Sequence, residues 1–177
     1  MTLKSYLRAA PVALALVLSA CGSKSDDSAN ASCPAPFTVQ DAGRLTHFRD
    51  GPGRDPRDVE YEAVLVGAGS TCTLRRNQMD VTLVMRVAVT AGPSVAAGQT
   101  RVPYFVRVLG SSGQVVQGQD FTADFRLSAA NPRGQSQEEL NLTLPFSQAS
   151  QLGGYRIAVG LKPSMEELDY NRRAGQR

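Results

Sequence analysis

The chain has 177 residues, with 19 Lys and Arg against 16 Asp and Glu, a single histidine, three cysteines and no tryptophan. Its arginines are dispersed, without a block of like charge or interleaved aromatics, so the footprint of a nucleic-acid binder is missing. With one histidine and no Cys-x-x-Cys, a thiolate metal centre or a cysteine nucleophile is not expected either.

At the start, Lys4 and Arg8 precede an apolar run from Ala9 to Leu18 and the small residues Ser19 and Ala20. This order is that of an export signal. The run is about half of the roughly 20 residues that a membrane-spanning helix needs, so cleavage is expected rather than retention. Leu18-Ser19-Ala20-Cys21 resembles the lipobox of bacterial lipoproteins. That resemblance implies diacylation of the Cys21 thiol (palmitate being the usual chain), cleavage before it, and acylation of the new amino terminus. Two or three acyl chains give lasting attachment where one binds only marginally, at about 0.8 kcal/mol per buried methylene. Gly22 stands where some Gram-negative sorting systems read an inner-membrane aspartate, so the resemblance implies the outer membrane, with the inner membrane as alternative. Loss of residues 1–20 leaves about 157, the size of one domain. It also removes Lys4 and Arg8, leaving a positive excess of about one.

Residues 22–32 are small and polar and read as a flexible linker, reaching at most roughly 35 to 40 Å. From Cys33 to the end, one domain is expected, and its signal is alternation with period two. Cys33, Phe37 and Val39 share a parity, and Pro34 and Pro36 mark an edge. Val59, Tyr61, Ala63 and Leu65 alternate with Glu60 and Glu62, and Cys72 and Leu74 with Thr71, Thr73 and Arg75. Met79, Val81, Leu83, Met85, Val87 and Val89 form the longest stripe, the expected central strand. Val102 to Val108 follows, then a turn at 110–113, then Val115 with Phe121 to Leu127, Leu140 to Phe146, and Tyr155 to Leu161. Seven or eight such segments and no long helical period predict an all-β, antiparallel sandwich of the immunoglobulin or fibronectin type III kind.

Cys33 and Cys72 remain once Cys21 is taken by the lipobox. In an oxidising compartment a bridge is expected, closing a loop of about 40 residues and stabilising the fold by roughly 4 kcal/mol in the chain-entropy model. Leu152-Gly153-Gly154-Tyr155 before the last strand resembles the tyrosine corner of immunoglobulin-like domains, the alternative being a strand that merely begins with tyrosine. In the tail, Ser164 and Glu167 fit a capping box. They predict a short helix through Leu168 and Tyr170, ending near Arg172 and Arg173, where cations suit the helix dipole. That helix either packs on the sandwich or docks on another protein.

No catalytic, cofactor-binding or metal residues are expected. His47 is the only histidine, no Gly-x-Ser-x-Gly is present, and a lone strand histidine is usually a surface or hydrogen-bonded residue. The loop 49–58 alternates arginine with aspartate in a spacing unlike an EF-hand, and reads as a solvated connection or a binding loop. Arg86, Arg107, Arg126 and Arg156 each oppose an apolar stripe and would form an anion-binding column if their strands were neighbours. Residues 41–46 and 58–63 resemble an uncharacterised family of proteobacterial lipoproteins, a likeness that brings no activity with it. The function expected is a non-enzymatic, lipid-anchored envelope module on the periplasmic side that docks on an envelope protein. The alternative is a binder of an anionic envelope ligand such as lipopolysaccharide or peptidoglycan.

Overall fold

A computed structural model describes residues 33–174; the expected signal, Cys21 and the expected linker lie outside the described residues. Eight strands are formed among those described: β1 (Pro36–Thr38), β2 (Arg44–Phe48), β3 (Val59–Leu74), β4 (Gln78–Ala91), β5 (Gly98–Leu109), β6 (Val115–Leu127), β7 (Arg133–Pro145) and β8 (Arg156–Leu161). One helix, α1 (Met165–Ala174), follows them. No helix among the described residues is long and apolar enough to cross a membrane.

The strands make two four-stranded sheets, ordered β1-β8-β5-β6 and β2-β3-β4-β7. All pairs are antiparallel except β1 with β8. The result is the expected antiparallel sandwich with a short C-terminal helix. Its layers are immunoglobulin-like, while its strand succession is its own: β2-β3-β4 is a meander, β5-β6 a hairpin in the other sheet, and β7 returns beside β4.

Alternation explains the core. Met79, Leu83, Met85 and Val87 of β4 are fully buried and meet Val102, Val106, Ile157 and Val159 of the facing sheet. The residues between them point to solvent, as a period-two strand requires. β3 is longer than its apolar pattern suggests. It runs unbroken through Gly67 and Gly69, with a register shift between Leu65 and Gly67, so the two expected segments are one strand. β7 likewise begins at Arg133, within a polar stretch that has no apolar stripe.

Three local expectations are met. Cys33 and Cys72 are disulfide-bonded with Cα atoms 5.6 Å apart, and Cys72 is partly buried against the core. The Tyr155 hydroxyl donates to the Pro145 carbonyl at 2.6 Å, a bond back to upstream backbone like that of a tyrosine corner, here over a longer span of ten residues. The capping box closes at both ends, Ser164 N–H to Glu167 Oε2 at 2.7 Å and Glu167 N–H to Ser164 Oγ at 3.3 Å.

Candidate functional site: the His47 cleft

The loop 49–58 folds on itself before β3. Arg49 donates twice to Asp58 Oδ1, at 2.9 and 2.6 Å, and Asp55 caps a single 3-10 turn over Pro56–Asp58. Arg54 reaches instead to Glu166 of α1. The connection is thus stitched by Arg–carboxylate pairs, one of which ties it to the helix.

Helix α1 lies along β2, the edge strand of its sheet. Thr46 Oγ1 donates to Asn171 Oδ1 at 2.7 Å, Asn171 Nδ2 to the Arg44 carbonyl at 3.2 Å, and Tyr170 meets the Phe48 ring edge-on at 4.9 Å. Arg172 pairs with Asp41 at 3.0 Å. Of the two expectations for the helix, packing on the sandwich is what the structure shows.

This packing brings Glu167 to His47. Glu167 is almost fully buried, and its Oε1 lies 2.7 Å from His47 Nδ1 while its Oε2 caps the helix. Glu60 stands 3.9 Å from His47 Nε2, and the Tyr61 ring lies 4.8 Å from the imidazole. The Tyr61 hydroxyl donates to the Arg101 carbonyl at 2.7 Å, joining the two sheets at this end. The Glu167 hydrogen bond raises the pKa of His47 above its ordinary value against the opposing effect of burial, with Glu60 and Asp50 adding to the rise. Burial pushes Glu167 upward, but the bonds from His47 and Ser164 outweigh it and hold the carboxyl below its usual value. Both directions describe one ion pair, imidazolium with carboxylate.

The pair forms one wall of a cleft of about 850 Å³ at this end of the sandwich, with Arg101, Thr122 and Lys162 on the opposite side. Its cations already have partners: Lys162 is paired with Asp120, and Arg101 lies 3.8 Å from Asp124. No hydroxyl or thiol among the described residues hydrogen-bonds to the His47 ring. No three acidic, histidine or cysteine side chains among them come together as a metal site.

The arginine column is corrected. Arg86 lies on β4, in the other sheet from Arg107, Arg126 and Arg156. Arg107 opposes Gly118 whereas Arg126 opposes Gln99, so these two sit at opposite ends of the β5-β6 ladder. Arg107 is paired with Asp120 at 2.6 Å, and Arg156 stacks over the Phe37 ring at 4.7 Å. Alternation fixed only that each points outward; strand order and register leave Arg107 and Arg156 as diagonal neighbours on one face and set Arg86 and Arg126 apart. Conversely, the cluster of Glu60, Tyr61 and Glu167 around His47 was missed as a site. The sole signal for it was the capping box, which places one oxygen of Glu167 and leaves the other open.

Comparison with known families, curated proteins and solved structures finds no match for this chain.

Proposed function

We propose that the chain is a lipid-anchored, non-enzymatic module of the cell envelope, on the periplasmic side, that docks on an envelope protein through the His47 cleft. The observation that supports this is polarity along β3. Tyr61 lines the cleft and Cys72 carries the bridge to Cys33, at opposite ends of that strand. At about 3.3 Å per residue the two are separated by roughly 35 Å. A chain tethered at Cys21 and pinned again at Cys33 enters the fold at the bridge end, so the cleft is the end farther from the point of attachment. A non-catalytic role is supported by His47 itself: among the described residues no hydroxyl or thiol hydrogen-bonds to its ring.

The test has two arms. Cys21→Ser abolishes fatty-acid labelling and releases the chain from membranes; unchanged labelling refutes the anchor. A photo-crosslinker at Lys162, on the cleft wall and next to the inner strand β8 rather than on the β6 edge, gives one dominant protein adduct in cells, and one at Arg86, on the outer face of β4, gives none. Equal yields at both positions refute docking through the cleft.

A further inference from the structure

The two flanks of the sandwich are finished differently. On one, the sheet edges are the short strands β1 and β2, and β2 is covered by α1. On the other, the edges are β6 and β7, each 13 residues long, and among the described residues no element covers either. Long unpaired edges offer rows of free N–H and C=O groups to another strand.

The charges on these edges point to a particular occupant. Arg126, Arg133 and Glu139 are exposed and, among the described residues, make no ion pair within the chain. Consider a two-fold axis perpendicular to both sheets, beside this flank. It turns each edge strand into an antiparallel neighbour of itself and keeps every side chain on its own face. With Ser136 of β7 at the axis, Arg133 lies opposite Glu139 of the second copy, twice by symmetry, Gln135 opposite Gln137, and Glu138 opposite Gly134. With Ala123 of β6 at the axis, Arg126 lies opposite Asp120. One position to either side, β6 would set Asp120 against Asp124 or Asp124 against itself, and β7 would lose its complementary pair.

One axis serves both edges only if Ala123 and Ser136 stand at the same level in the two sheets, and they do. A methyl group on Gly134 would come within 2.8 Å of the Phe125 ring. Tyr104, which opposes Phe121 on β5, donates to Glu138 at 3.2 Å. Midway between the Phe125–Gly134 level and the Phe121–Glu138 level lie Ala123 and Ser136. The Ser136 hydroxyl is also the one buried side-chain polar atom among the described residues that has no partner, and at the axis it faces its own copy.

We propose that this flank is a homodimer interface, in which β6 pairs with β6 and β7 with β7 of a second copy to make two continuous eight-stranded sheets. The β7 pairs carry the specificity, because Asp120 already holds Arg107 and Lys162. The proposal does not rest on the cleft, although Thr122 of the cleft lining faces Asp124 of the second copy in such a dimer.

The test uses the full chain as produced in cells, in mild detergent, by sedimentation equilibrium. The wild type is a dimer. Arg133→Glu and Glu139→Arg each weaken it about tenfold, since two favourable cross-strand pairs become repulsive, and the double exchange restores it to within about threefold. As a second measurement, a mixture of Gln135→Cys and Gln137→Cys chains forms an intermolecular disulfide faster than either variant alone. A monomeric wild type, single charge reversals without effect, a double exchange that fails to restore, or crosslinking no faster in the mixture overturns the proposal.

Discussion

Glu167 and His47, 120 positions apart in the chain, share a 2.7 Å hydrogen bond that fastens the C-terminal helix to the second strand. The same carboxylate caps the helix through Ser164. One buried side chain therefore couples helix initiation to helix docking, and its charge state controls both.

The pH dependence of stability follows from these two groups. His47 is raised above 6.5, so its contribution is complete below that value and is lost as pH rises through the raised one. Glu167 is held below 4.5, so its contribution is present above that value and is lost as pH falls through the lowered one. Stability from this pair is greatest between the two ordinary values. Glu167→Gln flattens both limbs and costs about 1 kcal/mol near pH 6, a figure kept low because His47 is partly exposed. Urea unfolding across the range from about pH 4 to 9 measures this. A variant that keeps the wild-type decline on the alkaline side contradicts it.

Replacing Cys33 and Cys72 together by alanine removes the bridge at the opposite end. The expected loss is roughly 4 kcal/mol, read as a lower urea midpoint. Intact mass of the wild type rises by two hydrogens on reduction; free thiols at both positions in exported protein would refute the bridge.

Tyr155→Phe deletes only the hydroxyl that meets the Pro145 carbonyl. Because that bond is partly exposed, a cost of about 1 kcal/mol is expected, with the fold unchanged by circular dichroism. No change in stability would reduce Tyr155 to a strand residue without a corner.

Gly92 follows β4, and its N–H donates to the Glu60 carbonyl at 2.8 Å, beside the cleft. A methyl group there would overlap the Val59 carbonyl, whose carbon is 2.7 Å away. Since both neighbours are backbone, Gly92→Ala is expected to cost about 2 kcal/mol or more. Thermal denaturation of the variant measures it, and wild-type stability would show that the two strands separate easily.

Most of the architecture was legible in the residues because period-two alternation is a local property. Met79 to Val89 announces a buried central strand, Pro34 and Pro36 an edge, and Ser164 with Glu167 a helix start, each within a few positions. Where the alternation stops, the reading stops with it. Residues 133–138 form half of β7 by pairing with β4 through their backbones, and polar side chains carry no mark of that.

The sequence by itself determined the sandwich class, the cysteine pair left for a bridge and the cap of the final helix, since each depends on side-chain parity or on spacing. Only the tertiary structure decided that His47 is the residue Glu167 meets, that of the four outward arginines only Arg107 and Arg156 are near neighbours, and that Gly134 stands against the Phe125 ring across the core. Parity says which face a side chain takes; the order and height of strands, set by packing over the whole chain, say what stands beside it.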